Sequence, residues 1–191
     1  MDEREKRLIR RAQEGDGAAF EALVHQHDRQ VLKLARHMLN NLEDAQDVYQ
    51  EIFIKVFHSL PSFRFESAFS TWLYRLAINQ CINFRQRRSR RRLLSFDVHG
   101  NDEEKYPACL PQDKNPDPEA ETLNQELGRE IALALETLSD KQRAVFVLRH
   151  FHGRKLQDIA KTLGCAEGTV KNYLFRATQR MQEKLREYRQ A

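Results

Sequence analysis

The stretch from Phe63 to Arg92, FRFESAFSTWLYRLAINQCINFRQRRSRRR, gathers three kinds of side chain that suit a nucleic acid. An aromatic-rich turn with Phe63 and Phe65 comes first. A helix carrying Ser70, Thr71, Trp72, Tyr74, Asn79 and Asn83 follows. It ends in six arginines within eight residues, Arg85, Arg87 and Arg88 among them. Rings stack on unpaired bases, amides read base edges, and guanidinium groups hold phosphate, so the stretch reads as one that touches a DNA strand being opened. Trp72 is divided between two readings, a core ring and a stacking platform; Phe63, Phe65, Tyr74 and Asn79 are expected outward, toward bases.

A second group of the same chemistry lies near the other end. Once Val170, Leu174, Ala177, Met181 and Leu185 are assigned to a buried row, Thr169, Lys171, Asn172, Arg176 and Arg180 are left on the outer face of one helix. Arg, Lys and Asn near a helix start are the side chains that reach guanine and adenine edges in a major groove. Tyr173 and Phe175 are open to either core or groove. The short helix expected at 156–163, the turn Gly164-Cys165-Ala166-Glu167 and the longer basic helix make a helix-turn-helix.

Other chemistries find little support. His25/His27 and His150/His152 are spaced two apart, which on a helix points the rings to different sides, and no cysteine stands beside them. They read as surface or helix-end histidines. Asp44, Asp47 and Glu51 have no second acidic cluster or phosphate loop with them. No catalytic nucleophile, metal site or cofactor is expected, and no small-molecule substrate.

These groups need helices to position them, and the hydrophobic period supplies them. Phe20, Leu23, Val24, Val31, Leu34, Ala35 and Met38 mark a helix over 19–39, and Asn40-Asn41 ends it and caps the next. Ala45, Val48, Tyr49, Ile52, Phe53, Val56, Phe57 and Leu60 form one apolar stripe over 43–60. Phe69, Trp72, Leu73, Leu76, Ala77 and Phe84 are the expected buried row of the next helix, with Ile78 nearer the outside. Leu123, Leu127, Ile131, Leu135 and Leu138 mark another. Ser139 and Gln142 form a capping box for a helix burying Val145, Leu148 and Phe151. No strand signal occurs. The fold class is therefore all-α: two small helical domains, 1–92 and 119–191, joined by a flexible acidic linker, 93–118.

Charge follows the same division. Residues 85–96 hold six basic and no acidic side chains, 97–121 hold 2 basic against 8 acidic, and 141–191 hold 12 basic against 4 acidic. Two basic regions separated by an acidic one argue for two nucleic-acid contacts rather than a diffuse coat. The three cysteines are scattered, as in a reduced cytoplasmic protein, and neither a signal-peptide core nor a membrane-length apolar run is present.

In this order the pieces resemble a bacterial RNA polymerase sigma factor of the extracytoplasmic-function group. The resemblance rests on DVYQEIF at Asp47–Phe53, FSTWLYRLAIN at Phe69–Asn79 and LGCAEGTVKNYLFRA at Leu163–Ala177, and it covers nearly the whole chain. It implies that Asp47, Gln50 and Glu51 dock on the coiled coil of the polymerase β′ subunit. Phe63 to Thr71 and Asn79 would take the non-template strand of the minus-ten element, with Trp72, Tyr74, Arg85, Arg87 and Arg88 beside them. Thr169, Lys171, Asn172, Arg176 and Arg180 would read the minus-thirty-five duplex, with the second domain at the β flap. A membrane-anchored anti-sigma factor is the implied regulator, and heavy-metal resistance an implied setting.

The chain departs from the family pattern at three places. Phe65 stands where Gly is usual in the turn. Lys155 replaces a capping Ser or Thr, a loss of ~1 kcal/mol for that helix. Ala166 and Glu167 replace Pro and an apolar residue, with Glu167 expected to cap the recognition helix. A one-component helix-turn-helix regulator shares only the C-terminal features, and a DNA-processing enzyme lacks its reactive groups.

Overall fold

The computed structural model describes the backbone of residues 2–95 and 118–190, with side chains over 2–91 and 126–186. Most of the expected linker, 96–117, lies outside the described residues. Eight helices are present among the described residues: α1 (Glu3–Gln13), α2 (Gly17–Leu39), α3 (Leu42–Ser59), α4 (Phe69–Ser95), α5 (Pro118–Glu136), α6 (Asp140–Phe146), α7 (Leu156–Leu163) and α8 (Glu167–Gln190). A short 3-10 turn, Leu60–Ser62, follows α3, and a wider π turn, Val147–Phe151, continues α6.

Local chemistry sets the ends of these helices. Asp16 caps α2, its Oδ1 accepting from the Ala19 amide at 3.0 Å, and Arg11 of α1 grips the same carboxylate. Asn40 ends α2 in the left-handed region at φ 55°, a conformation that a short amide side chain tolerates. Asn41 then caps α3, its Oδ1 accepting from the Asp44 amide at 3.0 Å. The pair divides the labour of stopping one helix and starting the next. Ser139 and Gln142 form the expected capping box on α6.

The apolar stripes meet in one continuous core. In the N-terminal half Ile9, Leu34, Met38, Ile52, Leu73 and Ile78 are fully enclosed, and in the C-terminal half Leu135, Val145, Leu148, Ile159 and Val170 are. Each such side chain contributes roughly 1.5–3 kcal/mol by leaving water. Ile78 thus lies inside rather than near the outer face, because α4 is covered from two sides, by α2 and α3 and by α7. Phe57 and Leu127 go the other way and are exposed, Phe57 meeting the Phe20 ring of α2 only edge-on.

Gln13 of α1 reaches across to the turn after α3, donating to the carbonyls of Leu60 at 3.0 Å and Phe63 at 2.9 Å. This fixes the chain where the aromatic turn begins.

Candidate nucleic-acid and polymerase interface

The aromatic turn is a packed cluster. The Phe63 ring lies 5.0 Å from Phe65, 5.8 Å from Phe69 and 5.1 Å from Trp72, in tilted and edge-on arrangements that suit ring quadrupoles. Phe63 is buried, against the expectation of an outward ring, because three neighbouring aromatics enclose it. Phe65 and Trp72 are half-buried on the cluster's rim, and Ser70, Thr71 and Asn79 reach solvent. Phe65 holds φ 58°, one of two non-glycine residues in the left-handed region among the described residues. The usual glycine at this place thus has a physical reason: the turn demands a conformation that costs a side chain roughly 1–2 kcal/mol. Phe65 offsets part of that through Phe63 and the Arg10 guanidinium, 5.8 Å from its ring centre.

Tyr74 also departs from its expected exposure: it is buried where α4 meets the C-terminal half. Its hydroxyl lies 3.2 Å from Nδ1 of His152 and donates to Gln30 at 3.3 Å, while Arg154 covers its ring at 4.4 Å. His27 and His152, expected at the surface or at helix ends, are instead largely enclosed. Burial pushes His152 well down, to about 3, with His37, Lys33 and Arg154 adding repulsion. His37 stacks on Phe151 at 4.2 Å in the same seam.

The arginines of α4 have partners within the protein. Arg85 donates to Glu136 at 3.0 Å and to Asp140 at 3.0 Å, Arg87 pairs with Glu51 at 3.2 Å, and Arg88 pairs with Asp44. Arg85 therefore bridges to the C-terminal half. Its neighbour there is Arg143, fully buried, which donates to the Met38 carbonyl at 2.8 Å and to the Leu135 carbonyl at 3.0 Å and pairs with Glu136 at 2.8 Å. Burial alone would raise Glu136; Arg143 and Arg85 outweigh it and hold the carboxyl below its usual range. Burial likewise lowers Arg143 to about 10, which leaves it charged at neutral pH. The Asn40 amide completes the knot by donating to the Ala132 carbonyl at 2.8 Å and to Glu136 at 3.0 Å. Below it, Arg75 of α4 donates to the carbonyls of Lys161 and Thr162 at the end of α7.

On α3, Asp47 and Gln50 are exposed and Glu51 is half-buried, taking a hydrogen bond from Gln80 at 3.0 Å besides the Arg87 pair. One and two turns further along the same face, Ile54 is 59% and Phe57 55% exposed, with Phe20 of α2 edge-on to Phe57 at 5.1 Å. The periodicity of α3 placed Phe57 in the buried stripe and left Ile54 unremarked. Residues 47, 50, 54 and 57 share one helical face, and that spacing was the available signal.

On α8, Thr169, Lys171, Asn172, Arg176 and Arg180 all face outward, while Val170, Ala177 and Met181 are buried. Of the two undecided rings, Tyr173 packs partly against the core and Phe175 is 62% exposed. Gly164 ends α7 at φ 63° and makes the sharp turn. Lys155 gives α7 no side-chain cap, as expected. Glu167, expected to cap α8, is instead its first residue and pairs with Lys171 at 2.9 Å, since that i, i+4 spacing brings the two together. Among the described residues no three His, Cys, Asp or Glu side chains gather as a metal site would need, and no helix is long and apolar enough to cross a membrane.

Comparison with known families and proteins follows the same division. Residues 23–91 match Sigma-70 region 2, and residues 128–181 match Sigma-70, region 4. The chain is 36% identical over 183 residues to the RNA polymerase sigma-H factor of Pseudomonas aeruginosa, covering 96% of this chain and 94% of that protein. It is 36% identical over 179 residues to the ECF RNA polymerase sigma-E factor of Haemophilus influenzae, covering 93% of each. Among solved structures, CnrH in complex with the cytosolic domain of CnrY has a similar fold, with a TM-score of 0.68 at 22% identity over 97% of this chain and 99% of that one. The sigma factor RpoE of Bartonella quintana, in complex with the anti-sigma factor NepR, gives a TM-score of 0.67 at 25% identity over 87% of this chain and 96% of that one.

Proposed function

The chain belongs to the extracytoplasmic-function branch of the sigma-70 family of RNA polymerase initiation factors, and from that premise we propose how its surfaces divide the work. It is not an enzyme. The exposed face of α3, Asp47, Gln50 and Glu51 continued by Ile54 and Phe57, docks on the β′ coiled coil of core polymerase. The turn, with Phe65, Ser70 and Thr71, and the outer face of α4 at Asn79 capture the minus-ten strand, with Trp72 at the edge. Thr169, Lys171, Asn172, Arg176 and Arg180 of α8 read the minus-thirty-five duplex. The second domain, about 119–191, sits at the β flap, and the first, about 1–92, at the coiled coil.

The observation that carries the polymerase assignment is the α3 face. Two large apolar side chains more than half exposed beside carboxylates and an amide are what an interface centre with a polar rim requires. In the described form the DNA-facing residues are partly committed elsewhere: Tyr74 and Arg85 to the seam, Arg87 and Arg88 to carboxylates on α3. Engaging promoter DNA exchanges those partners for phosphates and bases: drawing the halves apart on polymerase frees Tyr74 and Arg85, while Arg87 and Arg88 exchange the α3 carboxylates for phosphate within the first domain. The sigma factor RpoE of Bartonella quintana was solved in complex with the anti-sigma factor NepR, which supports regulation of this chain by an anti-sigma factor. The likeness to CnrH, at 22% identity, is one of fold.

Glu51→Arg reverses a charge on this face and Phe57→Asp removes its apolar anchor. Each is expected to weaken core polymerase binding by about tenfold or more, the usual scale for an interface anchor, while leaving duplex binding by α8 unchanged. Core affinities equal to the parent's for both variants would remove α3 from the interface.

A further inference from the structure

Where α2 and α4 face the turn between α6 and α7, a cleft of about 570 Å³ opens. Its walls carry four cations, Arg29 and Lys33 of α2 and Arg154 and Lys155 of the turn, against one carboxylate, Asp158. Among the described residues none of the four cations forms an ion pair, although most other charged groups of the seam do. Arg154 is fixed over the Tyr74 ring, and the Tyr74–His152 contact forms the floor.

Four cations gathered around a single carboxylate repel one another, and a low-dielectric wall strengthens the field they make. His152 beside the cleft is held less basic chiefly by burial and then by His37, with Lys33 and Arg154 adding to the repulsion. An anion would relieve the repulsion. The arginine forks and lysine ammonium groups suit phosphate oxygens, and the volume lies in the range of small-ligand sites. Both halves of the protein line the cleft, so a ligand there would favour the docked form over the separated one.

We propose that this cleft binds a small phosphate-rich anion, about the size of a nucleoside triphosphate, and that its binding holds the two halves together. Binding itself stands on the cleft alone; its effect on polymerase association rests on the initiation-factor reading above.

The test is calorimetric titration of the full chain with inorganic tripolyphosphate, beside Lys33→Ala/Lys155→Ala and Arg176→Ala/Arg180→Ala variants. Lys33 and Lys155 are exposed, so their loss leaves the fold intact. The expected result is one site per chain, weakened about tenfold or more in the Lys33/Lys155 variant because charge-assisted hydrogen bonds are lost, and unchanged in the Arg176/Arg180 variant. Tripolyphosphate should then lower the affinity of the parent chain for core polymerase and leave that of the Lys33/Lys155 variant unaltered. Equal binding by parent and Lys33/Lys155 variant, or loss in the Arg176/Arg180 variant instead, would overturn the cleft assignment. Ligand-free parent that fails to bind core polymerase overturns the initiation-factor reading and leaves the calorimetry to decide the cleft.

Discussion

At the scale of single residues, Phe65 and His152 carry the clearest consequences. Phe65 occupies a left-handed turn position while packing on Phe63, so two effects oppose each other. Phe65→Ala loses the packing and keeps the strain, whereas Phe65→Gly loses the packing and releases the strain. The glycine variant should be more stable than the alanine variant by about 1 kcal/mol, measured by urea denaturation. Equal stabilities would show that the turn relaxes when the ring is removed.

His152 gives a pH dependence of definite sign. Its basicity is lower in the folded state, about 3, than the ordinary value of 6.5, so between those values the unfolded chain binds the extra proton. Burial moves His27 and His150 in the same direction, with Glu5 partly opposing it at His27. Stability is therefore full above about pH 6.5 and falls as the pH drops toward 3. Above pH 4.5, the ordinary value for Glu136, histidines dominate the slope. His152→Gln should flatten thermal-stability curves between pH 6.5 and 4.5 by up to about 1.4 kcal/mol per pH unit. An unchanged slope would place the sensitivity at other groups.

At the scale of elements, the end of α2 does two jobs, and they can be separated. Asn40 stops the helix through its backbone conformation and ties α2 to α5 through its amide. Asn40→Gly keeps the first job and deletes the second. It should leave helix content unchanged and cost about 1–2 kcal/mol of docking, seen as a larger radius of gyration in solution scattering. A radius equal to the parent's would mean that Arg143 and Arg85 hold the seam unaided.

The elements also show how far the sequence could be read. Helix period and caps located α2, α3, α7 and the starts of α6 and α8 within a residue or two, because Asn40-Asn41, Ser139/Gln142 and Gly164 act on neighbouring backbone, whereas α8 runs about four residues beyond its expected end near Arg186. The outward set on α8 was legible for the same reason: one long helix has one packed face. What escaped was set by residues distant in the chain. Tyr74, Ile78 and Arg85 were expected outward because α4 was read with a single buried face, and only the docking of α7 and α5 supplies a second. Phe57 erred the opposite way, since a period marks an apolar side chain but not whether another element covers it.

At the scale of the whole molecule, the described form joins two halves that each carry a basic surface through a seam built on charged and polar groups. Arg143, Glu136, Arg85 and Asn40 are well matched with each other, but such groups are also well hydrated when apart. An interface of this kind can come apart at modest cost, as an initiation factor that must span two promoter elements requires. Ile54 and Phe57 on α3 are each more than half exposed among the described residues, so the docked form leaves the proposed polymerase contact open while DNA-facing residues of α4 are engaged internally.

The central claim, that this chain gives core polymerase its promoter specificity, is tested most directly by run-off transcription with purified core enzyme on a promoter library. Transcripts are expected from a defined subset of promoters only when chain and core are both present, with weak duplex binding by the chain alone. Tight, sequence-specific binding of the free chain to duplex DNA, together with no transcripts when core is added, would contradict it.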